Sequence, residues 1–265
     1  MLQTRNSSSL RRRLALFGAE IDPLTQAEAV SQVLEWVEDL SFRCRYVVTP
    51  NVDHTLLLRE SGSLRKSYAD ADLVLADGFP LVLASRLLGK PLPERVTGSD
   101  LVPAVFDRAE RCAPLRVFLL GAAPGVADQA ATHIENRWSA VRVVGCYSPP
   151  LGFEKDPLEN REIVERINAV RPEILILGLG APKQEIWIHQ FRDRLQAKVA
   201  LCVGATIDFL AGHRRRAPRW MQRCGLEWFY RMCSEPKRLV KRYAKDAWYF
   251  PQIVYQQWRA DRRRA

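Results

Sequence analysis

Short apolar runs rich in Val, Ile and Leu alternate along this chain with segments whose apolar residues recur at helical spacing. Each run ends in a polar or glycine-rich turn, which is typical of strands buried in a parallel sheet. No internal repeat is present. The pattern predicts an α/β fold with a largely parallel sheet and helices on both faces. The predicted strands are RYVVTPN from Arg45, ADLVLADG from Ala71, LRVFLLGAAPG from Leu115, VRVVGCYSPP from Val141, PEILILGLGAP from Pro172 and KVALCVGATID from Lys198.

The helical segments have recognisable starts. Thr25 and Glu28 form the sequence of a capping box, in which each side chain accepts a hydrogen bond from the backbone of the other residue. Apolar residues then recur at three- and four-residue spacing, which predicts an amphipathic first helix. Further helical patterns follow the strands, over 126–138, 161–170 and 184–195.

The end of the chain differs from the rest in charge and in aromatic content. The net charge is +10; residues 211–265 carry 15 basic and 4 acidic side chains, whereas residues 1–210 carry 25 and 26. Four of the seven tryptophans are also in this tail. Cations combined with amphipathic rings favour contact with an anionic, partly apolar surface such as a membrane. Single-stranded nucleic acid is the alternative, because its bases stack on aromatic rings.

A tail helix is predicted, with Ser234 as N-cap and Pro236 in its first turn. One face of that helix carries Arg238, Arg242 and Lys245, and another carries Leu239, Tyr243, Ala247 and Phe250. We therefore divide the chain into a basic N-terminal extension (1–13) that we expect to be disordered, an α/β catalytic core (14–225) and a helical membrane-associating appendage (226–265).

Composition excludes several classes of protein. Hydrophobic residues make up 47% of the chain, too many for a disordered tail, and the six cysteines form no C-x-x-C pair that indicates zinc. The apolar run after the first arginines is short for a signal peptide, and no stretch approaches the roughly 20 apolar residues of a membrane span. A reducing cytoplasm is the simplest location.

Unusual polar residues follow the predicted strands. In open α/β sheets, ligands bind beyond the carboxyl ends of the strands, so one cleft lined by these residues is a reasonable hypothesis. Any one of them has a simpler explanation, because Asp and Gly commonly end strands. The residues are Thr49, Asn51, Asp77, Gly121, Gly125, Gly180, Lys183, Gln184, Thr206 and Asp208.

Asp77 follows a run of apolar residues, where partial burial raises the pKa of a carboxylate and suits it to act as a base. The glycine turn from Gly121 to Gly125 lies where a phosphate-binding turn belongs, and it suggests NAD only weakly because G-x-G-x-x-G is incomplete. Lys183 enters at a predicted helix start, where anions are favoured. Asp70 and Asp72 have the D-x-D spacing of a cation site, but a helix-to-strand connection explains them better.

Taken in order, these blocks resemble the WecG/TagA/CpsF glycosyltransferases, glycosyltransferase family 26. The resemblance extends from about Phe17 to Tyr243, and the ordered series is far more specific than any one block. The blocks are TPN at Thr49, ADG at Asp77, RVTGSD at Arg95, the G-x-x-x-G turn at Gly121, GLGAPKQE from Gly178, VGATIDFLAG followed by RAP-x-W, and EWFYR followed by EPKR.

The resemblance implies a Rossmann-like core of the GT-E type and a C-terminal membrane-associating appendage. It also implies inverting, metal-independent transfer of a sugar from a UDP-sugar to a polyprenyl-diphosphate-linked saccharide at the inner face of the cytoplasmic membrane. On this basis we expect no cofactor and no metal, with an anionic membrane surface as a partner. Family members transfer N-acetylmannosamine, its uronic acid or other hexoses such as glucose and glucuronic acid, and no residue here selects among them.

The resemblance also implies roles for individual residues. Asp77 would be the general base, with Thr49 and Arg95 beside it. Residues assigned to the donor are Asn51, Gly121, Gly180, Lys183, Gln184 and Asp208. Residues assigned to the acceptor diphosphate and the membrane are Arg231, Arg238 and Arg242. Two other functions stay open as alternatives, a nicotinamide-dependent oxidoreductase and a nucleic-acid-binding module, and a homo-oligomer is also left open.

Overall fold

The strands of the large sheet lie where the apolar runs predict them, whereas the two short strands of an N-terminal hairpin, Leu14–Leu16 and Ala19–Ile21, are not predicted. The computed structural model describes residues 13–40, 43–111 and 113–263, apart from the side chains of Arg223 and Arg238. Residues 1–12 of the predicted extension lie outside this description. The strands are β1 (Leu14–Leu16), β2 (Ala19–Ile21), β3 (Arg45–Val48), β4 (Leu73–Val74), β5 (Leu115–Gly121), β6 (Val141–Tyr147), β7 (Ile174–Gly178) and β8 (Val199–Cys202).

Helices follow most of the strands, as expected for an α/β chain. Short 3₁₀ turns occur at Phe153–Lys155 and Arg192–Arg194. The α-helices are α1 (Gln26–Glu38), α2 (Val52–Glu60), α3 (Gly62–Ala69), α4 (Phe79–Leu87), α5 (Gly98–Ala109), α6 (Val126–Arg137), α7 (Pro157–Val170), α8 (Lys183–Phe191), α9 (Thr206–Leu210), α10 (Arg219–Arg223), α11 (Glu227–Ser234) and α12 (Pro236–Arg262).

A six-stranded parallel sheet with the order β4-β3-β8-β7-β5-β6 forms the centre of the fold, and β1 and β2 form a separate antiparallel hairpin. Two clusters of buried apolar residues cover the two faces of the large sheet, each contributed by strands and by the helices packed on that side. The predicted Rossmann-like α/β architecture is therefore confirmed. Because all six strands point the same way, their carboxyl ends meet along one edge.

Local sequence explains where several helices begin. Thr25 and Glu28 form the predicted capping box at the start of α1. The prediction for Ser234 is wrong, because this residue ends α11 and its hydroxyl donates to the carbonyl oxygen of Tyr230 at 3.0 Å. Glu235 occupies the N-cap position of α12 instead, with Pro236 as the first helical residue.

The tail packs on the core along much of α12. Leu239, Phe250 and Ile253 are buried, and the ring of Phe250 lies 5.4 Å from that of Phe17 in the hairpin turn. Gln257 accepts a hydrogen bond from the backbone of Phe17 and donates one to the backbone of Ala15. The helix α12 therefore shares the apolar core of the sheet domain.

The D-x-D segment is the expected connection between a helix and a strand. Asp70 caps the end of α3, and Asp72 accepts a hydrogen bond from the backbone of Tyr46 at 3.0 Å. Asp72 also forms an ion pair with Arg192 at 2.7 Å. Its carboxylate therefore ties α3 and β3 to the turn after α8.

Candidate active site

A cleft of about 380 Å³ opens at the carboxyl ends of β3 and β4 and is closed on its other side by the tail. The core contributes the residues that follow these two strands and the start of α5, and the tail contributes α11 and α12. The residues that line it are Asn51, Val52, Asp77, Gly78, Phe79, Pro80, Arg95, Thr97, Ser99, Gly225, Glu227, Trp228, Arg231, Arg242, Tyr243, Asp246, Ala247, Phe250 and Pro251.

Asp77 lies in the wall of this cleft, just beyond β4. Its backbone N–H donates to the carbonyl oxygen of Pro50 at 2.7 Å, which holds the turns after β3 and β4 together. Burial raises the pKa of Asp77 to about 6, while the positive charges of Arg95 and Arg231 oppose that rise in pKa. A carboxyl group with this pKa is largely ionised near neutral pH and is still a stronger base than an ordinary aspartate.

Arg95 joins the core to the tail. Its guanidinium lies 3.2 Å from Glu227 of α11 and 3.8 Å from Asp100 of α5. Arg216 contacts the same two carboxylates, bonding Asp100 and lying 3.5 Å from Glu227. The two arginines and two carboxylates form one network along the cleft, which fixes the position of α11.

The predicted acceptor arginines occupy different environments. Arg231 lines the cleft and lies 6.0 Å from the centre of the Phe209 ring, and no ion pair joins it to any carboxylate of the described residues. Arg242 also lines the cleft, where its Nε lies 3.3 Å from Asp53. The side chain of Arg238 lies outside the described part of the chain.

Asp246 is a cleft carboxyl that the sequence analysis did not select. It lies one turn after Arg242 on α12 and is 7% exposed, and its Oδ1 is buried with no hydrogen-bond partner among the described residues. Burial first, and then the negative charge of Asp53, raises the pKa of Asp246 to about 6. The spacing of Arg242 and Asp246 matches a helical ion pair, so the sequence does not distinguish this aspartate from a surface partner.

Three predicted site residues do not line the cleft. Thr49, predicted to lie beside Asp77 in the catalytic cleft, is buried and donates to the carbonyl oxygen of Cys202 at 3.1 Å. Of the predicted donor residues, Lys183 forms an ion pair with Glu154 at 2.9 Å, and Asp208 lies 3.8 Å from Arg214. The contacts of these three residues in the structure are with other residues of the protein, and their roles toward the substrates stay predictions.

The glycines have structural explanations of their own. Gly121 has φ of +117°, and a Cβ built on it would lie 2.5 Å from the backbone of Gly178 in the neighbouring strand. Close packing of β5 against β7 therefore requires a glycine here whether or not a ligand binds. Gly180 has φ of +79° with nothing within 4 Å of a built Cβ, so the turn conformation favours glycine and the space beside it is open.

Asn51 and Gln184 differ in their access to the cleft. Asn51 lines the cleft and caps α2, accepting a hydrogen bond from the backbone of His54 at 3.4 Å. Gln184 is 3% exposed and does not line the cleft. Its amide donates to Glu185 at 2.8 Å and accepts from the backbone of Gly204 at 3.2 Å.

A sequence profile described as the glycosyl transferase WecG/TagA/CpsF family matches residues 14–264. The chain belongs to this family of glycosyltransferases. The match covers the sheet domain and both tail helices, so it includes every element that lines the cleft. The predicted resemblance is therefore confirmed, and neither the oxidoreductase nor the nucleic-acid alternative has support.

Two similar proteins carry the same name, N-acetylglucosaminyldiphosphoundecaprenol N-acetyl-beta-D-mannosaminyltransferase. The protein from Bacillus spizizenii is 33% identical over 193 residues, which is 73% of this chain and 72% of the relative. The protein from Staphylococcus aureus is 27% identical over 227 residues, which is 86% of this chain and 87% of the relative. Both alignments are long enough to include most of the sheet domain.

Two features of the described residues bear on metal and membrane binding. These residues contain no group of three His, Cys, Asp or Glu side chains placed to hold a metal ion. Across the same residues, no helix combines the length and apolar character needed to cross a bilayer. Metal-independent catalysis stays a prediction.

Proposed function

We propose that this protein is an inverting glycosyltransferase that moves a hexose-type sugar from a UDP-sugar to a polyprenyl-diphosphate-linked saccharide in the synthesis of a cell-surface or extracellular polysaccharide. The observation that carries this proposal is the position of Asp77, a carboxyl with a pKa raised to about 6 inside a cleft that also contains Arg95 and Arg231. The names of the two relatives support N-acetylmannosamine as the sugar and an undecaprenyl-diphosphate-linked N-acetylglucosamine as the acceptor.

In the proposed reaction, the Asp77 carboxylate accepts the proton of an acceptor hydroxyl as that oxygen attacks the anomeric carbon of the donor sugar. The new glycosidic bond forms on the face opposite the bond to UDP, so the configuration inverts. The bond to the diphosphate breaks, and its electron pair leaves with UDP. One base is sufficient for a single displacement of this kind.

Negative charge that develops on the leaving diphosphate needs stabilisation, and guanidinium groups provide it through paired N–H donors. Arg95 lines the cleft beside Asp77 and is the candidate for this role. Arg231, Arg238 and Arg242 would hold the diphosphate of the acceptor. Arg231 is the best placed of the described pair, because Arg242 already contacts Asp53.

We further propose that the protein binds the inner face of the cytoplasmic membrane as a peripheral protein, with its cleft toward an anionic bilayer. Exposed residues of α12 recur every three or four positions and form an apolar stripe, in contrast to the buried face of the same helix. The stripe consists of Val240, Ala244, Trp248, Pro251, Tyr255 and Trp258. Exposed cations flank it at Lys237, Lys241 and Arg259, as expected for a helix at an anionic interface.

A second apolar stripe lies on the core helix α4. Phe79, Leu83 and Leu87 follow one another at four-residue spacing and are 45%, 48% and 71% exposed. Phe79 also lines the cleft, so the stripe begins at the cleft and runs away from it. The far ends of α4 and α12 approach each other where Lys90 pairs with Asp261 at 2.7 Å. Both stripes would therefore contact the bilayer that carries the acceptor.

A panel of UDP-sugars offered with a lipid-diphosphate-linked saccharide tests the activity. Mass spectrometry of the lipid product should show the addition of one hexose-type residue from one donor, with release of UDP. NADH binding measured by fluorescence is the control for the oxidoreductase alternative. Saturable NADH binding without transfer from any UDP-sugar would reject the proposed function.

A further inference from the structure

Two titratable side chains are buried beneath the cleft, where the proposed reaction gives them no direct role. His54 on α2 is 6% exposed, and Glu185 on α8 is fully buried. Nε2 of His54 lies 3.4 Å from Oε1 of Glu185. Buried polar groups are costly unless they are paired, so this contact offsets part of the cost of burying Glu185.

The other end of His54 contacts Asn51. The backbone N–H of His54 donates to the side chain of Asn51. Within that side-chain amide the oxygen accepts hydrogen bonds and the nitrogen does not, so this contact fixes which way the amide points. Its Oδ1 is directed at the start of α2. Its NH₂ group has no acceptor among the residues that the structure describes, and Asn51 lines the cleft.

Both ring nitrogens of His54 face a neighbour. Nδ1 lies 2.9 Å from Oδ1 of Asn51 and 3.3 Å from the backbone nitrogen of Asn51, which completes a capping box at the start of α2. Nε2 faces Glu185. The imidazole is therefore held between the carboxyl group of Glu185 and the cap of α2.

Gln184 extends this row of contacts to the neighbouring strand. Its Nε2 donates to the same oxygen of Glu185 that faces His54, and its Oε1 accepts from the backbone of Gly204, which follows β8. A continuous buried row therefore runs from the end of β8 through Gln184, Glu185 and His54 to the cleft side chain of Asn51.

We propose that Glu185 and His54, anchored by Gln184, are positioning residues that hold the Asn51 amide with its oxygen toward α2 and its NH₂ group toward the cleft. Asn51 then acts as a hydrogen-bond donor to an oxygen of the bound substrate, the diphosphate of the UDP-sugar. This inference rests on the proposed function for the identity of the substrate. It assigns Gln184 to the support of Asn51 and not to direct contact with the donor.

A purely structural ion pair would have a different signature. It would stabilise the fold, and its loss would lower activity by the same factor whether or not Asn51 still carries its NH₂ group. A positioning role predicts coupling instead, because Glu185 has nothing to position once that group is gone. Asn51→Asp provides the needed background, since aspartate caps a helix as well as asparagine but has no amide N–H to donate.

The kinetic test uses the full chain, the UDP-sugar accepted in the panel and the lipid-linked acceptor. We expect Glu185→Gln to lower kcat/KM for the UDP-sugar about tenfold, the usual effect of one lost hydrogen bond to a charged group, and to change the KM for acceptor less than about twofold. In the Asn51→Asp background, Glu185→Gln should change kcat/KM less than about twofold. His54→Asn should retain more activity than His54→Leu, because an asparagine amide nitrogen occupies the place of Nδ1. If Glu185→Gln lowered kcat/KM by the same factor in the wild-type and the Asn51→Asp backgrounds, the proposal would be overturned.

A spectroscopic arm separates this inference from the proposed function. Side-chain amide resonances of ¹⁵N-asparagine report the environment of each NH₂ group, and the Asn51→Asp variant identifies that of Asn51. Glu185→Gln should shift the two NH₂ resonances of Asn51. It should leave the NH₂ resonances of Asn168 unchanged, because that amide is held by Arg194 and Gln196. An unmoved Asn51 pair would overturn the proposed positioning even if transfer is observed. Failure of the wild-type chain to transfer any sugar would reject the function while this arm still decides the positioning.

Discussion

Nη1 of Arg95 lies 3.2 Å from Oε2 of Glu227, and this contact links the segment before α5 to the first turn of α11. The same two residues act on Asp77 in opposite directions, since Arg95 lowers its pKa and Glu227 raises it. The tail therefore helps set the basicity of the cleft aspartate as well as closing the cleft.

The pH dependence of transfer should reflect this balance. Only ionised Asp77 accepts a proton, so the rate should rise with pH through about 6. Replacing Glu227 by Gln removes a negative charge and should move the midpoint of that rise to lower pH. Replacing Arg95 by Gln should move it to higher pH. Rate profiles for the two variants that shift in the same direction would contradict this explanation.

Asp246 should decrease the stability of the fold near neutral pH. Its folded-state pKa of about 6 is above the ordinary aspartate value of 3.8, so its contribution to stability is present below pH 3.8 and is lost as pH rises through about 6. Asp246→Asn should therefore stabilise the fold by about 1–2 kcal/mol near neutral pH, with the gain disappearing at acidic pH. Thermal unfolding across pH measures this. Glu162→Gln, at an exposed carboxylate, is the control, and an equal gain there would contradict the prediction.

Arg231 should act on the acceptor more than on the donor. Arg231→Gln removes a guanidinium from the cleft and should raise the KM for the lipid diphosphate about tenfold or more, with little change in affinity for UDP. The control is Arg219→Gln, which removes the same charge from an exposed position on α10. Equal effects of the two substitutions would mean that only the overall charge of the tail matters.

The stripe on α4 should contribute to membrane binding. Leu83→Ser combined with Leu87→Ser removes two exposed leucines and should lower partitioning onto anionic phosphatidylglycerol vesicles about tenfold, while the fold stays intact. Co-sedimentation measures the bound fraction. Leu158 is 69% exposed on α7, and Leu158→Ser is the matched control. Unchanged partitioning of the double variant would exclude α4 from the membrane surface.

Point substitutions are preferable to removing the tail. Phe250 and Ile253 pack into the core, and Glu227, Arg231 and Asp246 line the cleft. Deleting residues 226–265 would therefore expose apolar surface and dismantle the cleft at the same time. Loss of vesicle binding after that deletion would not identify its cause.

Much of the fold and part of the cleft are predictable from local sequence. The strands of the large sheet are recognisable because each is a continuous apolar run, and Asp77 and Asn51 reach the cleft because they closely follow two adjacent strands, β4 and β3. A position directly after a strand does not by itself place a residue in the cleft, however. Lys183 and Asp208 follow strands farther along the sheet and pair with Glu154 and Arg214 instead.

The contribution of the tail is harder to predict because it depends on long-range packing. Its excess of cations indicates an anionic partner, yet Arg216 and Arg242 pair with carboxylates of the core. In the sequence, Glu227 and Asp246 have the pattern of ordinary helix residues, and only the packing of α11 and α12 against the core places them in the cleft. The row from Gln184 to Asn51 likewise joins residues that are far apart in sequence.

Replacement of Asp77 by Asn tests the proposed mechanism most directly. The variant keeps the shape of the side chain but accepts no proton, so sugar transfer from the UDP-sugar to the lipid-linked acceptor should fall by roughly 10² or more. Binding of the UDP-sugar, measured by calorimetry on the same preparation, should be unchanged. Transfer by Asp77→Asn at the rate of the wild-type protein would contradict the assignment of Asp77 as the base.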